Sequence, residues 1–208
     1  KTAYEITTRL VGSEMCISDR CKDNGILQKY HDEEWGIPLH DDRKQFEFLM
    51  MEVMQCGLNW NMMLKKRHIF RQCFDDFDYR KIAEYDDGKI QEIMETPGMI
   101  RSLRKIQAVI NNACRFRQII EEFGSFDTYL WSWTGGKTLI YRSHQTEGAA
   151  KNELSDAVSA DLKKRGFKYL GSITVYSHLQ ACGMINDHDE NCFLYDEICR
   201  RYPVEYRE

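Results

Sequence analysis

The chain reads as an all-α protein of many short helices, and three observations carry that reading. Apolar residues recur at three- and four-residue steps over long stretches. Only three prolines interrupt 208 residues, at positions 38, 97 and 202. Strand signals are sparse: the best is the short run Lys137 to Tyr141, KTLIY.

The elements follow in order. Segment 43–56, RKQFEFLMMEVMQC, sets Phe46, Leu49, Met50, Val53 and Met54 at helical spacing, and Glu52 interrupts that apolar neighbourhood. Segment 89–96 repeats the pattern with Ile90, Ile93 and Met94, and segment 103–120 with Leu103, Ile106, Val109, Ile110 and Ala113. A further helix is expected over 155–165, opening on Ser155-Asp156 as its N-cap. Glycines punctuate the helices at Gly57, Gly98 and Gly166. The polar, Gly-rich stretch 134–153 reads as a surface loop. No internal repeat is present. Candidate ligands come from both ends of the chain, so 1–208 is expected to form one compact unit, with 1–22 and 193–208 peripheral.

Composition narrows the class. A hydrophobic fraction of 42% can fill a substantial core, and a charged fraction of 30% solvates the surface. No run of 18 apolar residues exists, so no membrane span is expected. The opening KTAYEITTRLVG has no continuous apolar stretch and does not read as a secretory signal. The eight cysteines lie mostly in apolar helical contexts, which fits reduced thiols in a cytoplasmic protein better than a disulfide framework. The net charge of −4 is unevenly spread. Positive charge gathers at Lys65-Lys66-Arg67, at Arg101 to Lys105, at Arg115 and Arg117, and at Lys163, Lys164, Arg165 and Lys168. An acidic protein with such a basic face can still hold a phosphate backbone. Solvated helix faces account equally well for any one of these clusters. Walker-type, G-x-S-x-G and H-E-x-x-H motifs are all missing.

Three constellations carry chemistry. His188 and Cys192 stand one helical turn apart in sequence, with His31 as a third metal-type ligand and Cys16 or Cys21 as a fourth. Such a closed Cys₂His₂ site leaves no room for activated water, so its role would be structural. The same residues also fit unrelated positions, since spacing cannot join His31 to His188. Second, Tyr30, Trp35 and Trp60 flank Glu52. Aromatic walls with one carboxylate suit a flat cationic ring extruded from a duplex, although ordinary core packing serves each aromatic taken singly. Third, Pro97-Gly98-Met99-Ile100 makes a tight turn into a helix bearing Arg101, Arg104 and Lys105, whose free N–H groups can hold a phosphate oxygen.

Four blocks, YHDEEWGIP (30–38), QCGLNWNMMLKKR (55–67), GMIRSLRKIQAVINNA (98–113) and LKKRGFKYLGSITVYSHLQACGMINDH (162–188), resemble in order those of the bacterial 3-methyladenine DNA glycosylase I family. The resemblance runs from about residue 24 to 192. It implies an all-α helix-hairpin-helix glycosylase fold with a zinc clip between the N- and C-terminal segments. It implies base excision repair: hydrolysis of the N-glycosidic bond of 3-methyladenine in double-stranded DNA, releasing free base and leaving an abasic site without strand cleavage. The enzyme would act as a cytoplasmic monomer. The family's pocket carboxylate falls on Glu52 and its pocket aromatics on Tyr30, Trp35 and Trp60. Its structural zinc ligands fall on His31, His188 and Cys192. Its hairpin falls on Gly98 to Lys105, and its duplex-entering turn on Gly57 and Leu58. The chain departs from the pattern twice. The family's Arg-Cys-x-Trp start is replaced by MCISDRCKDNGILQKYH, where Cys16 lies slightly too far from His31 and Cys21 slightly too near. Cys16 is preferred, because an insertion loops out more easily than a deletion is spanned. Asn59 stands where the family has serine and brings an amide to the pocket. The missing Trp raises an alternative: a zinc-stabilised, non-catalytic DNA-damage binding module.

Overall fold

The computed structural model describes residues 25–55, 57–145 and 148–208. Its described residues are mostly helical: α1 (Gly25–Glu33), α2 (Asp42–Gln55), α3 (Trp60–Cys73), α4 (Tyr79–Ile82), α5 (Asp87–Glu95), α6 (Leu103–Phe123), α7 (Phe126–Ser132), α8 (Glu153–Lys164), α9 (Ser172–Ala181) and α10 (Phe193–Arg201). Two short strands, β1 (Thr138–Tyr141) and β2 (Val204–Arg207), pair in parallel with Thr138 opposite Val204. No described helix is long and apolar enough to cross a membrane.

Helix α2 is the centre of the fold. Every residue from Gln45 to Met54 is buried, so it is enclosed on all sides rather than along one stripe. Helices α3, α6, α7 and α9 pack around it. Its Phe46 meets the Phe116 ring of α6 at 5.0 Å, and Phe116 stacks on Phe126 of α7 at 4.1 Å. Two acids, Glu47 and Glu52, therefore sit inside an otherwise apolar helix environment.

Three local expectations change. Helix α8 starts at Glu153, not at Ser155. Asn152 is its N-cap, and a reciprocal pair of bonds links Asn152 and Ser155 in a capping box. The stretch 134–153 is not wholly loop, because it holds β1 and a 3₁₀ turn at Arg142–Gln145. The C-terminal residues complete the small sheet beside β1, whose other edge accepts the chain leading to His188. There Leu139 N–H donates to Met184 O at 2.8 Å, and Asn186 N–H donates to Leu139 O at 2.9 Å.

Buried polar groups fix the turn between α8 and α9. Asn112 of α6 is fully buried; its Nδ2 donates to Lys168 O at 3.0 Å and its Oδ1 accepts from Lys168 N–H at 2.8 Å. The neighbouring Asn111 Nδ2 donates to Gly166 O at 2.9 Å. On α9, His178 is buried beside the Cys182 thiol, with the sulfur 3.6 Å from Nε2. Burial pushes the His178 imidazole down to about 3, so it is neutral in the folded protein. The unfolded chain protonates this residue near 6.5. Its contribution to stability is therefore complete above pH 6.5 and lost as pH falls from 6.5 toward 3. At pH 4.5 the loss reaches about 3 kcal/mol. His178→Gln is expected to flatten this acid limb, read as a smaller drop in Tm between pH 7 and pH 4.5 than in the unaltered chain.

Candidate active site and metal centre

Helix α1 and the turn after it supply residues to two sites at once. His31 meets His188 and Cys192 in a buried group whose ligand atoms all lie within 4.8 Å of one another. Cys192 Sγ is 3.5 Å from His31 Nε2 and 3.6 Å from His188 Nδ1. A tetrahedral zinc with ordinary Zn–S and Zn–N bonds sets a sulfur-to-nitrogen separation of roughly 3.6 Å. The far nitrogens are also engaged. His31 Nδ1 lies 2.7 Å from Asp32 Oδ1, and His188 Nε2 lies 3.2 Å from the Trp35 carbonyl oxygen. Those acceptors turn the two facing nitrogens inward, the orientation a ligand pair requires. Cys16 and Cys21 lie outside the described residues.

The pairing of His188 with Cys192 is not helical, as their spacing had implied. The two are joined by a turn in which Asp189 Oδ1 accepts from Asn191 N–H at 2.8 Å and Cys192 N–H donates to Asp189 O at 2.7 Å. Cys192 then becomes the N-cap residue of α10. Gly36 closes the other side. Its φ is +77°, and a Cβ built there would lie 2.5 Å from His188 Nε2. Gly36→Ala is expected to push the imidazole out of line and weaken metal binding about ten- to a hundredfold, measured by competition with a chelator.

Glu52 lies on α2, buried at 7% exposure. Phe48 is one turn earlier on the same face. Its ring meets Tyr30 at 6.2 Å, and Tyr30 meets Trp60 of α3 at 5.6 Å. The Trp60 indole Nε1 is buried without a partner. Tyr30, Phe48 and Trp60 thus form one aromatic group adjoining the helix face of Glu52. Trp35 lies against the metal-type ligands, 4.6 Å edge-on from the His188 ring and 6.2 Å from that of His31. Asn59 is exposed and caps α3, its Oδ1 accepting from Asn61 N–H at 2.8 Å, so that oxygen is committed to the helix.

A buried ion network ties the three helices together. Arg67 Nε donates to Glu47 Oε1 at 2.7 Å and Nη1 donates to Glu34 Oε1 at 2.8 Å. Arg71 adds two bonds to Glu47, at 2.7 and 3.1 Å. Burial works to raise the Glu47 carboxyl, but the bonds from Arg67 and Arg71 outweigh it and hold the group below its ordinary value.

The basic clusters divide into exposed and engaged members. Arg101, Arg104, Lys163, Lys164 and Lys168 are exposed. Lys105 reaches back to Met54 O at 2.7 Å, fastening the start of α6 to the end of α2. Arg165 is bound by Glu122 and Asp161, each at 2.6 Å, and lies over the Phe123 and Tyr129 rings. Arg67 is buried in the network above. Gly57 is exposed at φ +85°, Leu58 is half-buried beside it, and Gly98 turns the chain between α5 and α6 at φ +80°. Among the described helices, α6 after Ser102, α9 after Gly171 and α10 after Cys192 start without a side-chain cap. The sequence reading missed Asp32 as the partner of His31, and it missed Asn112 and the Glu47–Arg67 pair. Only the first carried a visible signal, an acid adjacent to a ligand histidine.

In fold the chain is similar to solved 3-methyladenine DNA glycosylase I structures. One, a variant in complex with 3-methyladenine, matches with a TM-score of 0.81 and 31% identity, over 86% of this chain and 96% of that one. Another, from Staphylococcus aureus, matches with a TM-score of 0.80 and 32% identity, over 88% and 96%. In sequence it is 39% identical to DNA-3-methyladenine glycosylase 1 of Escherichia coli (strain K12) over 167 residues, 80% of this chain and 89% of the relative. Residues 20–195 match the methyladenine glycosylase model, and the chain belongs to that family.

Proposed function

We propose that the chain is a monofunctional DNA glycosylase that excises 3-methyladenine from alkylated duplex DNA by hydrolysis of the N-glycosidic bond. The observation that carries this reading is Glu52: a carboxylate held inside the protein on the helix face beside the Tyr30, Phe48 and Trp60 rings. Methylation at N3 makes the adenine cationic and already a good leaving group. Little acid catalysis is then needed. Ring faces favour the positive charge and Glu52 accepts from the base N–H groups, so the methylated base is bound in preference to neutral adenine. The E. coli and Haemophilus influenzae relatives, both DNA-3-methyladenine glycosylases by name, support the same activity.

His31, His188 and Cys192 would hold a structural zinc, with Cys16 or Cys21 as the fourth ligand. Bound there, the ion cross-links α1 to the segment before α10 and takes no part in hydrolysis. The duplex would be held through phosphates at the uncapped starts of α6 and α9. Arg101 and Arg104 stand at one and Lys163, Lys164 and Lys168 near the other, as in a helix-hairpin-helix grip, with Gly57 and Leu58 entering the base stack. Action as a cytoplasmic monomer belongs to the same proposal.

The test is direct. Purified protein is incubated with methylated duplex DNA, and free bases are separated by chromatography. Release of 3-methyladenine with alkali-labile but uncut strands is the expected result. Binding to methylated duplex without release of base would instead favour the non-catalytic binder, the reading that the absent N-terminal tryptophan motivates.

A further inference from the structure

We propose that Arg67 is a positioning residue for base recognition: through Glu34 and Phe48 it fixes the Tyr30 ring in the pocket. The inference rests on the glycosylase reading above and deepens it.

The geometry holds Tyr30 from two directions. Glu34 lies one turn beyond Tyr30, and its N–H donates to Tyr30 O at 3.0 Å. Arg67 Nη1 binds the Glu34 carboxylate at 2.8 Å and so anchors the end of α1. The same guanidinium lies 5.4 Å from the Phe48 ring centroid, and Phe48 in turn meets Tyr30. Trp60 and Arg67 sit two turns apart on one face of α3, so a single helix carries both Tyr30's ring neighbour and its anchor.

Stability alone is a poor reason for such a network. A buried ion cluster often gains nothing over apolar residues of similar volume. Arg67 is 9% exposed and its Nη2 is buried without a hydrogen-bond partner, so the cluster is not even fully satisfied. What the network does supply is direction. A planar guanidinium reaching two carboxylates from Nε and Nη1 fixes the angle between α1, α2 and α3, which a lysine's single ammonium cannot do. Charge balance points the same way: Glu34 and Glu47 neutralise a cation that would otherwise repel a cationic base.

The experiment compares the unaltered full chain with Arg67→Lys and Glu34→Gln. Affinity for free 3-methyladenine is measured by equilibrium dialysis. Single-turnover excision is measured on methylated duplex, with Tm and binding to undamaged duplex as controls. Arg67→Lys is expected to lose about tenfold in base affinity and in excision rate per folded molecule, with undamaged-duplex affinity unchanged. Glu34→Gln, which leaves the Glu47 arm intact, is expected to lose about threefold in both. A purely structural role would lower Tm and the folded fraction but leave base affinity per folded molecule untouched. Wild-type base affinity in folded Arg67→Lys overturns the proposal. If that variant does not fold, wild-type affinity in Glu34→Gln overturns it. Failure of the glycosylase reading looks different, because then the unaltered chain itself neither binds nor releases the base.

Discussion

Glu52→Gln is expected to slow 3-methyladenine release by about a hundred- to a thousandfold while the protein stays folded. The substitution keeps the shape of the side chain and removes its charge. Inside the protein, at 7% exposure, that charge is poorly screened and its attraction for a cationic purine is strong. The amide also turns a donor toward N–H groups that need an acceptor. Affinity for undamaged duplex should not change, because the basic residues proposed to meet phosphates lie elsewhere. Single-turnover release from methylated DNA measures the first effect, and Tm measures the second. Release at the wild-type rate by the glutamine variant would remove Glu52 from the catalytic account.

Metal removal has the second largest expected effect. Stripping the purified protein with a strong chelator is expected to lower Tm by about 10 °C or more, and zinc should restore it. The reason lies in how α10 is held. Among the described residues, its apolar face forms a small separate cluster of Cys192, Leu194 and Ile198 with Tyr202 packed against it. Removing an ion from between two buried histidine nitrogens and a buried thiol takes away the bonds that would join α1 to the segment before α10. Base affinity should fall as well, since Tyr30 immediately precedes His31. A metal-free protein of unchanged Tm would show that the three ligands are brought together by packing alone.

Much of the scaffold was readable from local pattern. The apolar spacing of 43–56 located α2, and the acid set between Met51 and Val53 in that spacing marked Glu52. The short KTLIY run located β1. His31, His188 and Cys192 could be named as metal-type ligands, but only folding shows them adjacent. What escaped was decided by partners distant in sequence. Arg67 read as part of a basic cluster because its acids, Glu34 in the turn after α1 and Glu47 on α2, lie 33 and 20 residues away. Arg165 and Lys105 read only as members of basic clusters for the same reason, their partners being Glu122 with Asp161 and Met54 O. That Asn59 caps α3 was not legible either, since nothing in its residue type announces the bond from Asn61 N–H. The start of α8 shifted because Asn152 and Ser155 satisfy each other, a reciprocity that competing cap residues conceal in sequence.

The contact between His31 and Cys192 spans 161 residues of chain. Bringing ends so far apart together costs roughly 4–5 kcal/mol in closure entropy. On the ribosome the helix bearing Tyr30 therefore waits, unanchored at that point, until residues 188–192 have been made. Truncated products that stop short of position 188 would carry Tyr30, Phe48 and Trp60 yet lack the ligands that latch α1, and are expected to be cut by protease faster than the unaltered chain.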